Sequence, residues 1–362
     1  MGKEFGIQQY LGFEIQSPRK VAMSLKTAEW KVKMDKNPLV IYHANCADGF
    51  SAAWVFHNAQ QNLQTNFDFH PGIYNDPLPD VDDRVVYLVD FSYKKEVVKE
   101  ICRRAIEVIL IDHHKTAIDD LSVLVDEASH EFQYNFNWYV DIERSGAMLA
   151  WDYLHNVLWT NEFLEPAGTI SRVIAGENKP GDIDYVQGPL LLGHIQDRDL
   201  WQFKLTGTRE INAGVFSYEY TFDNWDRLML GPLKLEGNIV QQTAVLLELR
   251  AEGIAIERKH HKDIAELVKV CQRTMYIDGH EIPVASLPYT LSSDAGHLMA
   301  KEWCGGTKFA ACYWDTLEHR VFSLRSTERG MDVSKIALKY NGGGHKHAAG
   351  FRVPRAHILA QM

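Results

Sequence analysis

From Pro38 onward, short apolar runs alternate with stretches whose apolar residues recur at helical spacing. Leu39 to Tyr42, Val85 to Val89 and Val108 to Ile111 predict strands, and Phe50 to Asn58 and Glu96 to Ala105 between them predict helices. Parallel strands need a crossover connection, usually a helix, so this order predicts a parallel sheet covered by helices. Helical signals recur over 144–158 (RSGAMLAWDYLHNVL) and across 236–269, a long stretch charged on one side and poor in turn residues apart from Gly237 and Gly253. It reads as a connecting helix. Beyond it the pattern restarts with TMYIDGHEIPVASLP, a helical LSSDAGHLMAKEWCG, strands near 308–314 and 319–325, a helix over 332–340, and the run NGGGHKHAAGF.

The fold expected is α/β: a mainly parallel sheet covered by helices over 34–232, a long linker helix over 233–269, and a smaller mixed α/β domain over 270–362. Residues 1–33 read as an extension without a catalytic role. A chain of 362 residues exceeds what one core usually organises, and 46% apolar with 24% charged residues excludes a disordered or collagen-like chain. No apolar run approaches the roughly 18 residues that a membrane span needs. The opening MGKEFGIQQY lacks the apolar centre of a signal peptide, so the expected compartment is the cytoplasm. Cys46, Cys102, Cys271, Cys304 and Cys312 are scattered without a C-x-x-C pair, which argues for reduced thiols. A formal charge of -10 argues against a broad groove for long duplex nucleic acid. Short phosphate substrates stay open, because bound divalent cations can supply the missing positive charge.

The three strands share one feature: each runs straight into residues that ligate metals. Leu39 to Tyr42 ends at His43, with Asp48 close behind; Val85 to Val89 ends at Asp90; Val108 to Ile111 ends at Asp112-His113-His114. Ligands of open α/β sheets bind outside the carboxyl ends of the strands, so these side chains are expected to converge at one rim. An Asp after a strand is often only a helix cap, and each taken singly has that alternative. Asp and His together, with no cysteine pair, favour Mn²⁺ or a similar borderline-hard ion over structural zinc. Phosphoryl chemistry commonly uses two ions roughly 3.5–4 Å apart, for which Asp90 is the natural bridge.

In these motifs the chain resembles the DHH phosphoesterases, a family of nano-RNases, RecJ-type exonucleases, cyclic-dinucleotide phosphodiesterases, exopolyphosphatases and family II pyrophosphatases. HANCADG at 43–49 resembles the first motif, VVYLVDF with Asp90 the second, IDHHK at 111–115 the third, and HIQDRDLW at 194–201 the fourth. Gly342-Gly343-Gly344-His345, followed by Ala348-Ala349-Gly350-Phe351, resembles the hallmark of the associated substrate-binding domain. The resemblance implies two ions, Mn²⁺ or Mg²⁺. His43 and Asp90 would hold the first, and Asp48, Asp90, His113 and Asp197 the second, with Asp199 as the alternative to Asp197. Asp112 and His114 are implied to be catalytic, His114 facing the substrate phosphate. His194 reads as a packed or capping residue.

Many members of this family carry an aspartate where this chain has Cys46. A thiol is a poor partner for a hard cation. Either the first ion is weakly held, softer or completed by water, or Cys46 is a small buried residue beside the site. In the second domain, Gly342, Gly343, Gly344 and His345 with Arg325 and Ser326 would form an anion clamp, the alternative being a tight turn only. His347, His260 and His261 read as solvated, and Phe50, Trp54 and Phe56 as core. Trp201 and Phe203 are open between core and base stacking. The implied activity is hydrolysis of a short oligonucleotide or small phosphorylated nucleotide by a metal-activated hydroxide, as in the nano-RNase branch. A polyphosphate or pyrophosphate substrate is the alternative within the class, and an inactive nucleotide sensor the alternative outside it. No membrane partner is expected, and a homodimer is left open.

Overall fold

A computed structural model describes residues 35–44, 46–74, 76–127, 135–155, 188–233 and 238–361. The expected extension at 1–33 and the end of the predicted helix 144–158 lie outside them. Apart from the last two residues of the helix Gly146–Tyr153, the elements below belong to one compact unit, Lys36–Trp151 with Gln187–Met362.

The first sheet has five strands: β1 (Leu39–His43), β2 (Asp68–Gly72), β3 (Val85–Val89), β4 (Glu107–Asp112) and β5 (Phe136–Val140). Their order is β2-β1-β3-β4-β5, and every pairing is parallel. Every residue of β3 and β4 is buried, which explains their unbroken apolar runs. On one face, Ile41, Leu88 and Leu110 form a core with Phe91, Ile101 and Leu121. Ile101 belongs to α2 (Lys95–Arg104) and Leu121 to α3 (Lys115–Glu127). α1 (Ala47–Leu63) brings Trp54 and Phe56, both fully buried, and Phe50 at 5%, so the aromatic stripe is core. Trp54 Nε1 donates to Asp226 (2.9 Å) and Trp225 Nε1 to Ser51 (2.9 Å).

Four further helices follow: α4 (Gly146–Tyr153), α5 (Leu190–Asp199), α6 (Thr208–Val215) and α7 (Phe222–Leu230). The connecting helix is α8 (Ile239–Cys271), 33 residues long, with Asn238 capping it by accepting from Gln241 N–H. That length is about 50 Å at 1.5 Å per residue. Gly253 lets it cross α6 closely: a Cβ there would fall 1.6 Å from the Glu210 carbonyl. Among the described residues no helix is long and apolar enough to cross a membrane.

The second sheet is mixed and six-stranded, in the order β10-β11-β9-β8-β7-β6. Its strands are β6 (Arg273–Ile277), β7 (His280–Ser286), β8 (Phe309–Asp315), β9 (His319–Ser326), β10 (Gly343–His345) and β11 (Ala348–Pro354). Only β7 and β8 pair in parallel. α9 (Tyr289–Glu302) covers one face and α10 (Val333–Leu338) the other, with α11 (Ile358–Gln361) at the end.

Candidate metal centre

Strand register builds the site. Tyr42 pairs with Val89, and Val89 with Ile111, so the next residues, His43, Asp90 and Asp112, stand level at the carboxyl rim of three adjacent strands. Asp90 adopts a left-handed φ of 53°, a conformation costing about 1–3 kcal/mol outside glycine. Its N–H is held by the Ile111 carbonyl at 2.9 Å. Its carboxylate meets imidazoles on both sides: Oδ1 lies 3.0 Å from His113 Nε2, and Oδ2 lies 3.5 Å from His43 Nδ1. Asp48, in the first turn of α1, accepts from the N–H groups of Gly146 (2.6 Å) and Ala147 (3.2 Å) and so caps α4. Gly146 is required there, since a Cβ would lie 2.4 Å from Asp90 Cβ. His113 Nε2 also faces Asp199 Oδ2 at 3.5 Å and Asp48 Oδ2 at 3.9 Å.

Asp112 has a different task. Its Oδ1 accepts from the backbone N–H groups of His113 (2.8 Å) and His114 (3.2 Å), and lies 2.7 Å from His114 Nδ1. An acceptor there keeps a proton on His114 Nδ1 and leaves Nε2 outside that bond. His345, arriving from the second sheet, stacks on His114 with ring centroids 4.6 Å apart and lies 4.7 Å from His113.

The donor atoms fall into overlapping groups, each within 4.8 Å: His43, Cys46 and Asp90; Asp48, His113 and Asp199; Asp90, Asp112, His113 and His114; and His113, His114 and His345. Within them, Asp112 Oδ2 and His113 Nδ1 are buried without a hydrogen-bond partner, and buried His43 Nδ1 and Asp90 Oδ2 face each other only at 3.5 Å. Burial, then the charges of Asp90 and Asp199, pushes the Asp48 carboxyl well up. Burial raises the Asp199 carboxyl, with Asp90 adding to it and His113 opposing. Burial also favours a protonated Asp90, but the bonds from His113 and His43 outweigh it and hold that carboxyl well below the usual range. Burial, then Asp90, Asp199 and Asp48, drives the Cys46 thiol well up, so it is the neutral thiol that faces His43 and Asp90.

Several sequence expectations change. Asp197, expected at the second ion, is turned inward, where it accepts from Lys204 N–H (2.8 Å), Leu205 N–H (2.9 Å) and Thr208 Oγ1 (2.6 Å). Two residues along a helix face different ways, and it is the alternative, Asp199, that reaches His113. His194 packs on Thr208 at 2.9 Å. Arg325 and Ser326, expected in an anion clamp, are engaged internally. Arg325 donates to Ser293 Oγ and the Leu324 carbonyl, both at 2.8 Å, and Ser326 Oγ donates to the Met331 carbonyl (2.7 Å) and lies 2.8 Å from His347. Burial lowers the Arg325 guanidinium to about 10. The glycine run docks on the lobe built around the first sheet (the first lobe, the second being that of the second sheet): Lys94 Nζ donates to the Gly342 carbonyl (3.1 Å) and Gly344 N–H to Thr116 Oγ1 (2.9 Å), beside Gly343. His260, expected to be solvated, is instead part-buried 3.1 Å from Asp294, while His261 is exposed as expected and lies 2.8 Å from Glu257.

The sequence reading missed Lys94, Thr116 and Asp294, which join the lobes; the only signal for Thr116 was its place just after the third motif. It also missed Tyr74, whose ring lies 6.1 Å from that of His43 and 4.9 Å from that of Phe91.

No family model matches the chain. An uncharacterized protein of Acanthamoeba polyphaga mimivirus is 26% identical over 337 residues, spanning 87% of this chain and 67% of its own. Among solved structures, a pGpG-specific phosphodiesterase of Vibrio cholerae is 15% identical with a TM-score of 0.35, covering 88% of this chain and 94% of that one. RecJ of Thermus thermophilus in complex with Mn²⁺ is 16% identical with a TM-score of 0.46, covering 96% of this chain and 54% of that one. Each is a distant likeness.

Proposed function

We propose that this chain is a divalent-metal-dependent phosphoesterase of the DHH kind, hydrolysing short oligonucleotides or small phosphorylated nucleotides. What supports the reading is the set of buried donor groups of His43, Asp90, Asp112 and His113, with Asp112 Oδ2 and His113 Nδ1 lacking a hydrogen-bond partner, gathered where the DHH-like motifs predict ligands. Burying several carboxylates together is costly without a compensating cation, and mixed carboxylate and imidazole donors suit Mn²⁺ or Mg²⁺. His43 and Asp90, beside Cys46, would hold one ion; Asp48, Asp90, His113 and Asp199 would hold a second. Bound there, such ions neutralise phosphate charge and acidify water.

The chain's own groups perform the remaining tasks. Asp112 fixes the His114 ring through Nδ1, so that Nε2 can exchange a proton with the reacting phosphate ester. His345 covers one face of that ring and keeps water from it. Because His345 comes from the second sheet, a substrate phosphate at His114 would be held between the two lobes. The acidic balance of the chain favours short substrates over long polyanions.

The test is one panel assayed with Mn²⁺: dinucleotides to pentanucleotides, a 3′,5′-bisphosphate nucleotide, cyclic dinucleotides and polyphosphate. Hydrolysis of the short nucleotides, abolished by chelation, is the expected result. Orthophosphate release from polyphosphate alone would move the substrate class. Binding of nucleotide with no turnover on any substrate would make the chain a sensor.

A further inference from the structure

Outside the donor cluster, Asp294 and Arg198 form a largely enclosed charged pair between the lobes. Asp294, near the start of α9 in the second lobe, has a side chain only 10% exposed. Its Oδ2 lies 3.3 Å from Arg198 Nη2 and 3.1 Å from His260 Nε2, and its Oδ1 lies 3.3 Å from Arg209 Nη1. Arg198 is on α5 and Arg209 on α6, in the first lobe, while His260 is on α8. One carboxylate thus ties three parts of the fold. Arg198 directly precedes Asp199, the carboxylate that faces His113.

The backbone after Asp199 is held under strain. Trp201 and Phe203 both adopt left-handed conformations, with φ of 56° and 52°. Such residues persist only where their surroundings over-determine them. Here the inward Asp197 bonds the far side of the turn at Lys204 and Leu205, and the second lobe grips the near side. His297, one turn after Asp294, stacks on Trp201 with centroids 4.1 Å apart and planes at 11°. Arg198 and Arg209 lie over the Trp201 and Phe203 rings at 4.6 Å and 3.7 Å. Asp199 is therefore flanked by a clamp on each side, and its own carboxylate faces His113 at 3.5 Å in the group shared with Asp48.

We propose that Asp294 is a positioning residue: by holding Arg198 it sets the Asp199 carboxylate in the donor cluster, so full metal affinity requires the second lobe to be engaged. The proposal rests on the phosphoesterase reading of the cluster. Partners behind the ligands of a metal typically contribute about 10- to 100-fold to its affinity.

Mn²⁺ titration calorimetry on the full chain tests it, comparing wild type, Asp294→Asn, Arg198→Met, Arg209→Met and the two double variants with Asp294→Asn. The expected result is an affinity about tenfold weaker in Asp294→Asn, at the low end of that range. The same loss is expected in Arg198→Met, with no further loss when the two are combined. In the Arg209→Met background, Asp294→Asn should keep its full effect. A merely structural role would lower affinity additively in both backgrounds, and that pattern overturns the proposal. Should Asp294→Asn not fold, Arg198→Met alone decides, since unchanged Mn²⁺ affinity there overturns the coupling. Wild-type chain that binds no Mn²⁺ overturns both the cluster reading and this inference, whereas wild-type binding with unchanged variants overturns the inference alone.

Discussion

At the residue scale, two aspartates in one motif separate stability from chemistry. Asp197 is 5% exposed and accepts three hydrogen bonds, so Asp197→Ala should destabilise the fold by about 2–4 kcal/mol. Asp199, whose side chain is 26% exposed, should tolerate Asp199→Asn in denaturant unfolding while losing Mn²⁺ affinity. Equal loss of stability in both variants would contradict the division. Cys46 is the second residue to test, because it stands beside His43 and Asp90 as a neutral thiol. Cys46→Asp adds a hard oxygen donor, so Mn²⁺ affinity at that position should rise, while Cys46→Ser should change little. Identical titration curves for wild type and both variants would make Cys46 a spectator.

At the scale of elements, what the sequence revealed follows from burial. β1, β3 and β4 were legible because they are central strands covered on both faces, which leaves unbroken apolar runs. β2 (DFHPG) and β5 (FNWYV) were not, because they are the two edges of that sheet, where polar residues and Pro71 are tolerated. The convergence of His43, Asp90 and Asp112 was legible too, since it needs only parallel strands of matched register. The choice between Asp197 and Asp199 was not, because it depends on where the turn at 204–208 offers donors. The docking of β10 on α3 was equally hidden, being made by one hydroxyl far away in sequence. Thr116→Val removes the acceptor for Gly344 N–H and should lower stability by about 1–2 kcal/mol. Because His345 follows in the same strand, KM should rise while Mn²⁺ content stays intact. Loss of metal in Thr116→Val would mean that this contact supports the donor cluster instead.

For the whole molecule, the contact between lobes should make stability depend on pH in two separable windows. His297, packed on Trp201, is held near 4 by burial against its ordinary 6.5. The unfolded chain therefore takes up a proton at this residue from about pH 6.5 downward, while the folded chain does so only near 4. Stability from this group is fully present above 6.5 and is lost as the pH falls towards 4, by roughly 3 kcal/mol at most. Asp294 acts in the same direction but lower. Burial raises its carboxyl, yet His260 with Arg198 and Arg209 outweighs that and holds it well below its ordinary 3.8. Its contribution is present above 3.8 and is lost only beneath that value. Acidification from pH 7 to 4.5 should thus weaken the fold through His297, and in the same direction through His345, which burial, His114 and His113 hold well below its ordinary range, and leave the Asp294 clamp charged. His297→Phe keeps a ring on Trp201 without a titrating nitrogen, so its unfolding midpoint should fall less than that of wild type across this range. Parallel profiles for the two proteins between pH 7 and 4.5 would show that His297 does not carry the acid sensitivity of the contact between lobes.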